Sequence, residues 1–314
     1  GLGLMGLQDV FFKKGLAFDS ADAKDLSRTI SAHIYFHALW ASTELAEVEG
    51  PHEAYEGTRA AKGDLQFDLW DSANGGVTPP AELDWDALRS RITEHGLRNS
   101  LLIAIAPTAT IASIVGCYEC IEPQVSNLFK RETLSGEFMQ INRYLVRELQ
   151  ARGLWDEQMI NDIMKAEGSV QDVDRIPADL KEVFRTAWEI PQRALIDMAA
   201  ERGAFIDQSQ SLNLGAYVAA DANGEMAFDY AKLGEVVRQV VPLLDRVIDI
   251  NYYPTSEAEF SNHKWRPVGL GLMGLQDVFF KKGLAFDSAD AKDLSRTISA
   301  HIYFHALWAS TELA

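Results

Sequence analysis

Apolar positions along the chain recur mostly at helical spacing. The longest such pattern follows Asp19 and Ser20, either of which can cap a helix, and it continues to Gly50. Its apolar stripe consists of Leu26, Ile30, Ile34, Leu39 and Leu45. A shorter helix is predicted over residues 84–95, with Gly96 ending it.

The second half of the chain is also dominated by helical patterns. Helices that each close at a glycine are predicted over 136–152, 155–167 and 178–202. Pro191 is expected to kink the last of them. A further helix is predicted over 229–250, with a kink at Pro242.

One continuous apolar run, Leu101–Ile105, interrupts this helical pattern. Such a run is typical of a strand that is buried on both faces of a parallel sheet, and Pro107 ends it. The strand and the surrounding helices together favour the α/β fold class with a high helix content.

Residues 1–46 and residues 269–314 are identical letter for letter. Solenoid repeats diverge in sequence and recur every ~20–50 residues, so this duplication is of another kind. We call the two segments copy one and copy two. Both fit the same position in a fold, so we expect one copy to occupy it and the other to be loose or exchanged with a partner.

The composition is that of an ordinary globular protein, with 47% hydrophobic and 24% charged residues, which excludes disordered and collagen-like chains. The net charge of -17 repels phosphate backbones and argues against broad nucleic-acid binding, although a local pocket can still hold a small phosphorylated ligand. No apolar run approaches the ~20 residues of a membrane helix. The first residues lack the basic leader of a secretory signal, and only two cysteines occur, so we expect a cytoplasmic protein.

Glycines at positions 1, 3 and 6 match the G-x-G-x-x-G pattern of dinucleotide-binding folds, and the pattern recurs in copy two. Dinucleotide binding requires an apolar strand directly before the first glycine. Residues 261–268, which precede copy two, are polar and contain Pro267. The glycines are therefore interpreted as sites of close packing.

His33 and His37 lie one helical turn apart and recur as His301 and His305. Such a pair can hold a metal ion, but no carboxylate or cysteine completes a ligand set at a recognisable spacing. We expect histidines that serve packing or an interface.

Cys117 and Cys120 form a C-x-x-C pair. A redox role favours such a pair at the start of a helix, where the thiolate is stabilised. Here the pair follows Gly116, after a predicted helix, so incidental thiols are favoured over a redox motif.

The strongest candidate site is residues 106–113, Ala-Pro-Thr-Ala-Thr-Ile-Ala-Ser. Small and hydroxyl residues follow the predicted strand, and a helix can begin at Thr110. Ligands of α/β folds bind beyond the carboxyl ends of strands, and free N–H groups at a helix start can cradle a phosphate. A helix that is merely capped by threonine fits the same pattern.

Four longer segments resemble the large, catalytic subunit of class I ribonucleotide reductase. They are RNSLLIAIAPTATIAS at 98–113, IEPQVSNLFKRETLSGEF at 121–138, AAERGAFIDQSQSLNL at 199–214 and DINYYPTSEAEFSNHKWRPVGLGLMGL at 249–275. The resemblance implies a ten-stranded α/β barrel made of two five-stranded halves. The chain resembles mainly the second half of that barrel.

The order of the segments differs from that of the family. The segment 215–268 precedes residue 1 in family order, whereas here it follows the barrel segment 1–214, and 269–314 repeats 1–46. The predicted join lies around residues 211–218. We interpret the chain as a circularly permuted fragment, and the simplest account is a circular piece of the gene that was read through more than once.

The resemblance implies the reduction of ribonucleoside diphosphates to deoxyribonucleoside diphosphates for DNA synthesis. In the family a cysteine thiyl radical begins the reaction and a cysteine pair reduces the substrate. The position expected for one of that pair is Asp207 here, and neither Cys117 nor Cys120 matches a catalytic cysteine. We therefore predict no catalytic residue in this chain and, as the alternative function, a catalytically incomplete fragment that at most binds a diphosphate.

The carried-over binding residues are those of the diphosphate loop: Pro107, Thr108, Ala109, Thr110 and Ile111. The chain itself is expected to hold no metal or cofactor. The family implies a radical from a metal-containing small subunit, nucleotide effectors including ATP, and thioredoxin or glutaredoxin as reductant. It also implies a homodimer of the intact protein, allosteric control, and no membrane partner.

Overall fold

The computed structural model describes residues 1–70, 77–133, 136–212, 218–220, 226–251, 253, 255–272 and 274–314. The chain divides into two compact units, which we call unit 1 (Gly1–Leu214) and unit 2 (Gly215–Ala314). The division falls inside the predicted join, of which residues 213–217 lie outside the described ranges.

Helices dominate the described residues of unit 1. They are α1 (Leu7–Lys14), α2 (Ala21–Glu49), α3 (Trp85–His95), α4 (Ala109–Val115), α5 (Arg143–Ala151), α6 (Glu157–Lys165), α7 (Ala178–Val183) and α8 (Gln192–Gly203). Short 3-10 turns between α2 and α3 span Tyr55–Gly57, Ala60–Lys62 and Gln66–Leu69. Strands β1 (Leu128–Thr133) and β2 (Gly136–Ile141) form an antiparallel pair in which Leu128 lies opposite Ile141.

The two helices predicted in the first hundred residues are confirmed together with their caps. The Ser20 hydroxyl accepts a hydrogen bond from the first turn of α2, and Gly50 ends that helix with a φ of 81°. The Asp84 carboxylate caps α3 in the same way, and Gly96 ends it. Side-chain oxygens at the start and glycines at the end satisfy the unpaired backbone groups of each helix.

Two of the helices predicted further along the chain are wrong in extent. Residues 136–141 form β2 rather than the start of a helix, and α5 begins only after Asn142, whose side chain accepts hydrogen bonds from the first turn. The predicted helix over 178–202 is two helices, since residues 184–191 are not helical. Pro191 precedes α8 rather than kinking it, because proline disfavours helical backbone in the residue before it.

The predicted strand at Leu101–Ile105 forms only two isolated parallel bridges, from Ile103 to Leu2 and from Ile105 to Gln210. The carboxylate of Asp207 accepts hydrogen bonds from the N–H groups of Leu102 and Ile103. These two N–H groups are therefore not available to pair with the carbonyls of a longer neighbouring strand. The described sheets are therefore two antiparallel pairs, and the expected parallel sheet is absent from the described residues. The helix-rich character is confirmed.

The core of unit 1 is built around aromatic rings. Phe12 stacks on Phe184 with ring centroids 5.0 Å apart, and it also contacts Tyr118 and Tyr144. The other buried members of this cluster are Leu145, Leu149, Met159, Ile163, Val170, Val173, Ile176 and Leu180. Copy one thus contributes directly to the centre of the unit.

Unit 2 has its own core between two long helices. Its described elements are β3 (Val218–Ala220), β4 (Met226–Phe228), α9 (Tyr230–Ile250), α10 (Ser256–Trp265), α11 (Leu275–Lys281) and α12 (Ala289–Leu313). The helix predicted over 229–250 is confirmed as α9, which continues through Pro242. The core combines Leu233, Val237 and Val241 of α9 with Ile298 and Ala309 of α12.

Candidate functional site

Residues 102–105 lie between two other extended segments of unit 1. Leu2 donates its N–H to the carbonyl of Leu102 at 2.6 Å and accepts the N–H of Ala104 at 2.8 Å. On the other side, Ile105 donates its N–H to Ser209 at 3.0 Å. The segment is thus hydrogen-bonded on both sides. Its carboxyl end is followed by Pro107 and the rest of the candidate loop.

The loop itself turns sharply at Thr108, which has a φ of 54°. This threonine precedes α4 but does not cap it with its side chain; instead its Oγ1 accepts the N–H of Cys120 at 2.8 Å. The helix begins at Ala109, one residue before the predicted start at Thr110. Because the hydroxyl of Thr108 is engaged elsewhere, the first N–H groups of α4 have no capping side chain.

The predicted loop residues form a continuous, open surface. Pro107, Ala109, Thr110 and Ile111 are exposed, and Thr108 is half-buried. Small side chains at 109 and 110 leave the backbone of the first turn accessible. Such a turn can accept an anionic oxygen, since its N–H groups carry partial positive charge.

A buried arginine lies near Cys120 and Glu122, which follow this loop in the sequence. Arg202 on α8 is only 2% exposed, and its guanidinium donates to Gln210 Oε1 at 3.0 Å and to Ser27 Oγ at 3.4 Å. Burial lowers the pKa of Arg202 to about 10, so it stays charged at neutral pH. Its charge also acts on Cys120, the residue that anchors Thr108. The sequence reasoning missed Arg202; the signal was one arginine in the mostly small and apolar segment 198–206.

Two buried carboxylates hold the backbone around the loop. Asp9 accepts the N–H of Tyr118 at 2.7 Å and the hydroxyl of Tyr144 at 2.8 Å. Asp207 accepts the N–H of Ile103 at 2.7 Å, and burial raises the pKa of Asp207 to about 6. Asp9 was not singled out from the sequence, because its partners lie more than a hundred residues away.

The cysteine pair does not have the features of a redox site. Cys117 and Cys120 are free thiols, and Cys120 is buried. Burial and the charge of Asp9 raise the pKa of Cys117, and burial raises the pKa of Cys120. Raised values keep both groups as unreactive thiols near neutral pH, which supports the interpretation as incidental cysteines.

The glycines of copy one are packing positions, as expected. A Cβ atom at Gly1 would lie 2.6 Å from Ala104 Cβ, and one at Gly3 would lie 2.7 Å from the carbonyl oxygen of Ala104. Gly6 has a φ of 80° and faces Cys117. The backbone that a dinucleotide would need to approach is therefore already covered by the chain.

The histidine pairs differ between the copies: in copy one His37 is exposed and His33 is half-exposed, and only the copy-two pair lies in packing positions. His33 lies 3.4 Å from Glu82, and in copy two His301 stacks on Tyr230 with ring centroids 4.4 Å apart. Within the described ranges, no group of three or more potential metal ligands comes together.

In that same part of the chain, no helix combines the length and the apolar character needed to cross a membrane.

Comparison with known proteins gives one consistent result. The sequence model of the ribonucleotide reductase barrel domain matches residues 1–225 and, separately, 211–314. The ribonucleoside-diphosphate reductase large subunit of Caenorhabditis elegans is 50% identical over 214 residues, which are 68% of this chain and 26% of the relative. The large chain of Schizosaccharomyces pombe is 49% identical and the large subunit of Arabidopsis thaliana 48% identical over the same length and shares.

A solved structure gives the same result. The class Id ribonucleotide reductase alpha subunit of Actinobacillus ureae superposes with a TM-score of 0.53 at 27% identity, covering 76% of this chain and 36% of that subunit. The chain spans about a quarter of the length of the curated relatives that it matches.

Proposed function

Because the chain belongs to the ribonucleotide reductase barrel-domain family, we propose that it is a part of a ribonucleoside-diphosphate reductase large subunit. Its role in that enzyme is to bind the diphosphate of the substrate through Pro107, Thr108, Ala109, Thr110 and Ile111. The intact enzyme reduces ribonucleoside diphosphates to deoxyribonucleoside diphosphates for DNA synthesis.

The observation that carries this assignment is the geometry of the loop. The bridged segment 102–105 ends at Pro107, Thr108 is fixed to Cys120, and the first turn of α4 is left open. A diphosphate oxygen can bind the N–H groups of this turn, with the exposed hydroxyl of Thr110 as a further donor.

Reduction of the bound nucleotide needs thiols that these residues do not supply. Cys117 and Cys120 have raised pKa values, and Asp207 stands where a reducing cysteine is expected. We therefore assign diphosphate binding to this sequence and place the radical and reducing cysteines in other parts of the large subunit. The alternative function is that of a catalytically incomplete fragment that at most binds a diphosphate. It applies to this chain when the rest of a large subunit is absent.

The remaining partners follow from the same assignment. The intact protein would be a cytoplasmic, allosteric homodimer that receives its radical from a metal-containing small subunit. Nucleotide effectors would regulate it, and thioredoxin or glutaredoxin would reduce it again after each turnover.

The rearranged order of segments is part of the proposal. The two family matches overlap at residues 211–225, and this overlap contains the predicted join at 211–218. Unit 2 begins at Gly215, inside the same range. These coincidences support a permuted chain in which 215–268 precedes residue 1 in family order.

Isothermal titration of the full chain with CDP and ADP tests the loop assignment. The variant Thr108→Ala/Thr110→Ala should bind at least about tenfold more weakly, because it loses both the anchor to Cys120 and the exposed hydroxyl. Ser113→Ala is the matched control and should bind like the wild type, because its hydroxyl donates to the Ala109 carbonyl at 3.1 Å and its loss removes none of the N–H groups of the first turn. Equal affinity of the wild type and the double variant would exclude this loop as the diphosphate site.

A further inference from the structure

Helix α12 repeats the sequence of residues 21–45 of α2, but the two helices bury opposite faces. We call one the aromatic face, formed by Tyr35, Phe36 and Leu39 in α2 and by Tyr303, Phe304 and Leu307 in α12. The other, the histidine face, is formed by Ile30, His33 and His37 in α2 and by Ile298, His301 and His305 in α12. At 3.6 residues per turn, the two faces lie on opposite sides of the helix.

In copy one the aromatic face is buried in unit 1. Tyr35 is 3% exposed, and its hydroxyl accepts the N–H of Gln66 at 3.1 Å. Phe36 packs edge-to-face against Trp85 at 5.1 Å, and Phe12 of the same copy stacks on Phe184. We call the surface that receives copy one, built by residues of 47–214, the slot.

In copy two the aromatic face has no such cover. Tyr303 is 68% exposed and Phe304 is 55% exposed, while Phe280, the counterpart of Phe12, is 70% exposed. The histidine face packs on α9 instead: Ile298 is fully buried, and His305 lies so close to Gly234 that a Cβ atom there would overlap its ring. Copy two therefore presents most of the large side chains that fill the slot, while Phe279, the counterpart of the buried Phe11, is 2% exposed within copy two.

We propose that the aromatic face of copy two is a docking surface for the slot of a second copy of this chain, used when copy one leaves that slot. The sequence identity of the two copies means that copy two carries every side chain that the slot receives. Docking leaves the histidine face on α9, since the two faces are opposite. The exchange thus produces a domain-swapped dimer.

The short connection between the units favours a second chain over the same chain as the acceptor. Gln210 is bridged to Ile105 in unit 1, and β3 of unit 2 begins at Val218. Only seven residues separate them, which span at most about 25 Å when fully extended. Short connections of this kind hinder folding back and promote exchange between chains.

Either copy would fill the slot with the same side chains, so tethering decides which copy occupies it in the wild type. Copy one continues directly through α2 into residue 47 and has the higher effective concentration at its own slot. The wild type is therefore mainly monomeric, and exchange appears when copy one is weakened.

A matched pair of substitutions in the full chain tests the proposal. Phe12→Asp places a charge in the aromatic cluster and expels copy one, whereas Phe280→Asp blocks only copy two. Light scattering after size-exclusion chromatography gives the mass, and hydrogen exchange of α3 reports whether unit 1 is folded. We expect Phe12→Asp to double the 34.9 kDa mass with α3 protected, and Phe280→Asp to stay monomeric with α3 protected.

The double variant Phe12→Asp/Phe280→Asp should lose the protection of α3, because neither copy can fill the slot. Leu313→Asp is the control, since Leu313 is 48% exposed and its counterpart Leu45 in the filled slot is 47% exposed. Added to Phe12→Asp, it should leave the dimer intact. Loss of α3 protection in Phe12→Asp alone would overturn the proposal, as would a folded double variant. A folded monomer of Phe12→Asp would also overturn it, because the slot would then be filled from within one chain, by either copy.

Discussion

Copy one and copy two share every residue, yet several of their largest side chains are buried in one copy and exposed in the other. Phe18 is 2% exposed and its counterpart Phe286 is 67% exposed. The glycines differ in the same way: a Cβ atom at Gly3 would lie 2.7 Å from a carbonyl oxygen, whereas one at Gly271 would meet nothing within 4 Å. The comparison shows that the sequence of this segment specifies its helices, while its neighbours select the face that is buried.

A helix with two apolar faces explains how one sequence can serve both environments. In copy one the aromatic face is buried in unit 1, and in copy two the histidine face is buried on α9. In family order, segment 215–268 would lie before the copy and residues 47–214 after it. If that proposed order holds, a single helix would bury both faces, which would explain why both are apolar.

Truncation of Phe18 and of Phe286 gives the largest contrast between the copies. Phe18→Ala removes a buried ring that packs edge-to-face on Phe11 at 5.4 Å, and it should destabilise unit 1 by about 3–5 kcal/mol. Phe286→Ala should change the stability of unit 2 by less than about 0.5 kcal/mol. Urea unfolding at low protein concentration, which keeps the chain monomeric, measures both values. Equal losses would contradict the difference in burial.

Truncation of the histidine face should reverse this order. Ile298 is fully buried against α9, so Ile298→Ala should destabilise unit 2 by about 2–5 kcal/mol. Ile30, its counterpart, is only half-buried, and Ile30→Ala should cost unit 1 less than about 1.5 kcal/mol. Hydrogen exchange of α9 and α3 separates the two units in this test. A greater loss in unit 1 would show that the faces are assigned the wrong way round.

The two units should also respond oppositely to pH. Asp207 has a folded pKa of about 6 because of its burial, so unit 1 loses up to about 3 kcal/mol as pH rises from 4 through 6. Burial, then Arg238 and His301, lower the pKa of His305, so unit 2 loses stability as pH falls below about 6.5. Unfolding curves between pH 4 and 7.5 test both directions. Asp207→Asn should flatten the profile of unit 1, and an unchanged profile would remove Asp207 as its cause.

The smallest expected contrast concerns an ion pair. Asp19 binds Arg185 in a bidentate pair at 2.7 and 3.0 Å, and both side chains are largely buried. Asp19→Asn should cost unit 1 about 1 kcal/mol. Its counterpart Asp287 is exposed, so Asp287→Asn should have no measurable effect on thermal unfolding. An equal shift in both variants would indicate a general charge effect instead of the pair.

Local signals in the sequence predicted much of the fold. Ser20 and Asp84 start helices and Gly50 and Gly96 end them, as expected, because caps act within a few residues. The β1–β2 pair was missed because its end depends on Asn142. This side chain joins a buried network with Gln124 and Asn127, which no local pattern reveals.

The candidate site was predicted only in part, for a similar reason. Small and hydroxyl residues indicated 106–113, the family resemblance narrowed the candidate to 107–111, and the structure leaves Pro107 and residues 109–111 exposed. The roles of Asp9, Arg202 and Asp207 depend on contacts across more than a hundred residues. Contacts between residues so far apart in the sequence leave no local pattern from which they could be predicted.

The most direct test of the central comparison is the rate of thiol labelling at one equivalent position in each copy. Ser31 is 7% exposed in α2 and its counterpart Ser299 is exposed in α12, so serine-to-cysteine changes there are nearly isosteric probes. We predict that Ser299→Cys reacts with a soluble disulfide reagent at nearly the rate of an unfolded peptide, and Ser31→Cys at least about a hundredfold more slowly. Equal rates would contradict the account, since they would mean that the two copies share one environment.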